Sequence, residues 1–128
     1  MAVTVRDDQV FWSAHFPGTR TSVPAARQFT VQSLHALGRW DDDEVAQLLV
    51  SEVATNVVLH AHSPMRITVW CHDDRPRIEI RDDEPRRPHR DDPEPLAVGG
   101  RGMLLVDALA ADWGVNGNSR GKTVWFEL

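Results

Sequence analysis

Apolar and polar residues change their spacing several times along the chain, and each change marks an element. Val10-Phe11-Trp12-Ser13-Ala14-His15-Phe16 is aromatic-rich and stops at Pro17-Gly18, which predicts a strand. Beyond Ser22, the residues Ala25, Ala26, Phe29, Val31, Leu34 and Leu37 recur at near-helical spacing. Pro24 suits the first turn of that helix and Gly38 its C-terminal cap. Asp41-Asp42-Asp43-Glu44 is an acidic start for a second helix, favoured there by the helix dipole. That helix carries Val45, Leu48, Leu49, Glu52, Val53, Asn56 and Val57, and it should end near residues 60–62, before Pro64.

Residues 65–71 and 77–82 alternate polar and apolar, with a turn at His72-Asp73-Asp74. So short a connection predicts an antiparallel hairpin. Pro85, Pro88, Pro93 and Pro95 stand among charges with no apolar residue between Glu84 and Pro95, which predicts a loop. Gly99-Gly100-Arg101-Gly102 then leads into a short apolar helix over 103–109. Residues 112–115 and 122–128 are the last predicted strands, with a turn over 116–121. Strands that cluster in hairpins predict a mixed, mainly antiparallel sheet covered on one face by three helices. The expected fold class is α+β, a two-layer α/β sandwich.

A length of 128 residues predicts a single domain over 1–128. The net charge of -5 argues against a general nucleic-acid binder, which needs a basic face to neutralise phosphates. Cys71 is the only cysteine, so an internal disulfide is excluded and a cytoplasmic setting is expected. The first residues lack a basic start followed by an apolar core, unlike a signal peptide. No apolar run approaches the roughly 18 residues of a membrane span.

Glu52 and Asn56 share a helix face at i and i+4, embedded among Leu48, Leu49, Val53 and Val57, and periodicity turns that face toward the protein. A carboxylate on an apolar face is costly to bury unless something repays it, and a ligand is one way. The other way is a polar margin of an amphipathic helix. Gly99 to Gly102 before an apolar helix can serve as an anion site, because backbone N–H groups and the helix dipole face the loop. The segment does not match the P-loop pattern G-x-x-x-x-G-K-[ST], and no obvious strand precedes it. Asp82 closes a strand, where its carboxylate can accept a hydrogen bond from an exocyclic amine. His60, His62, Cys71, His72, Asp73 and Asp74 lack the paired spacing of zinc sites. Arg86, Arg87 and Arg90 stand beside Asp91, Asp92 and Glu94 and read as a self-compensating charged run.

Together these motifs carry more than each alone. Glu-x-x-x-Asn on a helix is followed by Asp at a strand end, a loop, Gly-x-Gly opening a helix, and Gly-Lys-Thr in the last strand. That order resembles the GHKL ATPase superfamily with its Bergerat fold, and most closely the small anti-sigma factor serine kinases. Phe16-Pro17-Gly18, Ser22-Val23-Pro24-Ala25-Ala26-Arg27 and the ending Gly121 to Leu128 are similar to that subgroup.

The resemblance implies ATP or ADP with Mg²⁺ as cofactors. Glu52 would be the general base and Asn56 the Mg²⁺ ligand. Asp82 would receive the adenine amine, with Thr123 supporting it through water. Gly100 and Gly102 would let a lid over about 84–101 wrap the phosphates. Beside these, Arg101 by its place inside Gly-x-Gly, His60 by its place four residues beyond Asn56 on the same face, and Met103 are candidate cofactor-binding residues. The implied partners are a serine-bearing anti-anti-sigma protein, a sigma factor, or a second copy of the chain. The implied activity is serine/threonine phosphotransfer, and the alternative is a non-catalytic module that sequesters a transcription regulator. One departure stands out: the superfamily's Asp-x-Gly-x-Gly reads Asp82-Asp83-Glu84-Pro85-Arg86, so both glycines are replaced.

Overall fold

The computed structural model describes residues 1–84 and 102–128. Strands β1 (Ala2–Arg6) and β2 (Gln9–Phe16) are followed by helices α1 (Ser22–Ala36) and α2 (Asp43–Asn56). A π-helical turn, Val57–Ala61, extends α2 and leads to β3 (Met65–His72) and β4 (Arg75–Asp82). Helix α3 (Gly102–Leu109) and strands β5 (Asp112–Asn118) and β6 (Gly121–Glu127) complete the described chain.

The strands form one sheet in the order β1-β2-β3-β4-β6-β5, with every pairing antiparallel. The sheet is therefore not mixed among the described residues. The reason lies in the connections. β1–β2, β3–β4 and β5–β6 are hairpins. The two helices between β2 and β3 return the chain to the end it left, so Phe16 pairs with Met65.

β1 was not among the predicted strands. All five of its residues are exposed, so it lies at the sheet edge and adds nothing to the core pattern. Its sequence signal is the turn: Asp7 and Asp8 have φ of 50° and 64°, and Asp73 and Asp74 repeat this with 51° and 65°. Two successive residues at positive φ are the requirement of the tight hairpin turn whose twist matches the strands, and Asp tolerates it.

α1 buries Ala26, Phe29, Thr30, Ser33 and Leu34, a stripe at helical spacing. Thr30 and Ser33 are polar, yet each hydroxyl donates to a carbonyl one turn back, Ala26 and Phe29 respectively, both at 2.8 Å. That satisfies the hydroxyls and lets them sit in the core. Ser22 does not cap the helix. It is the first helical residue, and its hydroxyl donates instead to the Pro17 carbonyl at 2.6 Å. Gly38 ends α1 as expected, at φ 78°. The Gly38 N–H donates to the His35 carbonyl at 2.9 Å and the Arg39 N–H to the Leu34 carbonyl at 2.8 Å, the paired bonds of a Schellman cap.

The core lies between the helices and one face of the sheet. Ile67, Val69, Ile78, Ile80, Val124 and Phe126 face Leu34, Leu49, Val50, Val53 and Val106. Each such aliphatic side chain contributes roughly 1.5–3 kcal/mol by leaving water. The opposite face carries Phe11, Trp70, Arg77 and Trp125. The Arg77 guanidinium lies 3.9 Å from the Trp125 ring centroid and 5.4 Å from that of Trp70.

Candidate nucleotide-binding site

One end of the sheet gathers the last residues of β2 and β4 and the first of β3 and β6. Phe16 pairs with Met65, Met65 with Asp82, and Asp82 with Lys122. The loops at this end are tied together. A Cβ on Gly18 would collide with the Ser63 carbonyl. The Ser63 hydroxyl accepts the Asp83 N–H at 3.0 Å and donates to the Pro64 carbonyl at 3.0 Å. A Cβ on Gly121 would collide with the Asp82 carbonyl. Glycine at both places lets backbone pack on backbone around Asp82.

Asp82 is 1% exposed. Its position follows from strand alternation: Ile78, Ile80 and Asp82 form one inward row on β4. On β6 the inward row is Lys122, Val124 and Phe126. Lys122 Nζ donates to Asp82 Oδ2 at 2.8 Å, and Asp82 Oδ1 accepts the Glu84 N–H at 2.7 Å. Lys122 also donates to the Glu84 carbonyl at 3.4 Å.

Thr123, expected beside Asp82, lies on the other face of the sheet. It pairs with Arg81, and strand alternation turns both away from the helices. The residue that touches Asp82 is Lys122, one position earlier. Sequence reasoning missed it, although a lysine heading an inward row that continues with Val124 and Phe126 is a readable anomaly.

Glu52 and Asn56 stand near the C-terminal end of α2, both half-buried. The helix buries Ala46, Leu49, Val50, Val53 and Ala54, and its stripe continues through Val57. The Leu48-Glu52-Asn56 ridge runs along the flank of that stripe. Leu48 itself is 40% exposed, so it does not enclose the pair as expected. The flank position matters chemically. A carboxylate that keeps part of its surface in water costs less than one buried outright. Among the described residues, no side-chain partner meets the Asn56 amide.

Immediately after Asn56 the helix widens. The His62 N–H reaches back five residues to the Val57 carbonyl at 2.9 Å, and His62 leaves the helix at φ 51°. Single π turns of this kind occur frequently at functional sites. The turn carries His60, whose Nε2 is buried and has no hydrogen-bond partner among the described residues. A buried unpaired ring nitrogen calls for a water or a ligand atom.

Met103 is 2% exposed and packs in the hydrophobic core. What the first turn of α3 offers is backbone N–H groups, starting from Gly102. Gly100, Arg101 and the expected lid beyond Glu84 lie outside the described residues. Among the described residues, no group of three or more His, Cys, Asp or Glu is placed to hold a metal ion. Nor is any described helix long and apolar enough to cross a membrane.

The antiparallel sheet with the three described helices against it is consistent with the α+β sandwich of a GHKL ATPase domain. The chain belongs to the histidine kinase-like ATPase domain family, whose model matches residues 16–128. The match leaves out β1 and nearly all of β2. No curated protein matches the chain.

Proposed function

We propose that this domain binds Mg-ATP and transfers the γ-phosphate to a serine hydroxyl of an anti-anti-sigma-type regulator in the cytoplasm. The observation that carries the reading is the placement of Glu52 and Asn56, half-buried on one ridge of α2 and ending in the π turn with the unpaired His60 nitrogen. Mg²⁺ takes oxygen ligands and usually keeps several waters, so one amide oxygen from Asn56 with the phosphates suits it. The donor set fits the nucleotide as well. Asp82 supplies a buried acceptor for an amine, and the α3 N-terminus supplies N–H donors for phosphate. Bound Mg-ATP would supply the electrophilic phosphorus and the leaving group. Glu52, one turn from Asn56, would take the proton of the attacking hydroxyl.

The test is incubation with labelled ATP, Mg²⁺ and a serine-bearing regulator encoded nearby, alongside Glu52→Ala. Label on the regulator that disappears with Glu52→Ala is the expected result. Nucleotide binding without transfer to any such regulator would leave the second reading, a module that sequesters a sigma factor with nucleotide as a switching ligand. The replaced glycines at Glu84 and Arg86 favour that second reading.

A further inference from the structure

We infer that Lys122 is a specificity-determining residue of the nucleotide pocket. It would donate to the ring-nitrogen acceptor that neighbours the exocyclic amine held by Asp82. The inference rests on the nucleotide-binding reading above.

Three observations carry it. Asp82 and Lys122 face each other directly across β4 and β6, and both side chains turn to the helix-covered side. They are 1% and 8% exposed, and Nζ and Oδ2 are 2.8 Å apart. A buried ion pair adds little net stability over an apolar pair of the same volume, so stability alone is a poor reason for one here.

Counted among the described residues, the pair also has unused capacity. An ammonium has three donors, and Lys122 directs two of them at Asp82 Oδ2 and the Glu84 carbonyl. A carboxylate has about four acceptor sites, and Asp82 uses two, for Lys122 and for the Glu84 N–H. The pair thus holds an acceptor and a donor side by side. A 6-aminopurine edge is its complement, with the amine donor next to the N1 acceptor. A 6-oxopurine held the same way would set its carbonyl against the carboxylate and its N1–H against the ammonium. Each mismatch leaves a buried polar group unpaired, which is how such sites reject analogues.

Calorimetric titration of the full chain with ATP, 1-deaza-ATP and GTP tests this. In 1-deaza-ATP a C–H replaces N1, so only the acceptor is lost. Wild type should bind 1-deaza-ATP about tenfold more weakly than ATP, as expected for one hydrogen bond. It should bind GTP more weakly still. In Lys122→Met the difference between ATP and 1-deaza-ATP should vanish. A purely structural pair would weaken both ligands equally on substitution and leave the wild-type ratio near one. The comparison within wild type needs no variant, so it stands even if Lys122→Met fails to fold. Equal wild-type binding of ATP and 1-deaza-ATP, a difference that persists in Lys122→Met, or GTP bound as tightly as ATP would each overturn the inference while sparing the nucleotide reading. No ATP binding at millimolar concentration would overturn both.

Discussion

Gly121 approaches the backbone of Asp82 so closely that a side chain on it would occupy the space of the Asp82 carbonyl oxygen. It also has a φ of 154°, which few L residues adopt. Gly121 thereby lets β6 start flush against the end of β4, and Lys122, next in sequence, reaches Asp82. Gly121→Ala should cost about 1–3 kcal/mol of stability, from strained backbone and lost contact. Urea unfolding measures this, and an unchanged midpoint would show that the strand end has room to relax. Nucleotide affinity should fall with it, because Asp82 shifts.

Asn56 and Glu52 share a ridge but have different chemistry, and that predicts different phenotypes. Asn56→Ala should remove the dependence of ATP affinity on Mg²⁺ while sparing metal-free binding. Glu52→Ala should spare Mg-ATP binding and lower phosphotransfer by about 10²–10⁴-fold, the span of general-base contributions. Titrations with and without Mg²⁺, paired with single-turnover transfer, separate the two. Both variants should fold normally, since both side chains flank the buried stripe.

Glu127 supplies a pH dependence on the open face of the sheet. Burial pushes its carboxyl pKa up. Hydrogen bonds from His72 at 2.7 Å and Arg77 at 3.1 Å, with the charges of both, outweigh this and hold it below the ordinary glutamate value. A carboxyl with a lower pKa in the folded chain than in the unfolded chain binds its proton preferentially when unfolded. Its contribution is therefore complete above the unfolded pKa and is lost as pH falls through the lowered folded one. Stability should drop on acidification through that range, and the drop should be smaller in Glu127→Gln. Thermal melts of both proteins across the acid range check this. Parallel curves would show that other carboxyls dominate.

Gly114 leaves space for the indole of Trp125, since a Cβ there would lie 2.8 Å from three indole atoms. Gly114→Ala should displace that ring and loosen its stack on Arg77, at about 1–3 kcal/mol as in other overpacked sites. Near-ultraviolet circular dichroism should lose tryptophan signal while the far-ultraviolet spectrum keeps its shape. An unchanged near-ultraviolet spectrum would argue that the ring yields without leaving Arg77.

Periodicity made most of the elements legible. The helical spacing from Ala26 to Leu34 and from Leu49 to Val57, and the alternation from Met65 to Asp82, record which side of each element meets the core. The Glu52–Asn56 pair, and Asp82 at its strand end, were readable for the same reason: polar residues interrupt or terminate an apolar pattern. Strand β1 escaped because an exposed edge strand needs no apolar row. Near-helical spacing does not resolve the centre of a stripe from its flank, so it does not separate exposed Leu48 from buried Leu49.

The pairing of residues distant in sequence was a tertiary decision. Alternation alone puts Lys122, not Thr123, on the inward row of β6, but only the β4–β6 register sets Lys122 opposite Asp82 across 40 positions of chain. A register is the outcome of packing both strands against the helices, and a slip of one residue would turn each row over. The sequence by itself determined the elements, their faces and the candidate chemistry on each. The tertiary structure decided which of those groups touch, because contact depends on strand order and register, which no single segment encodes.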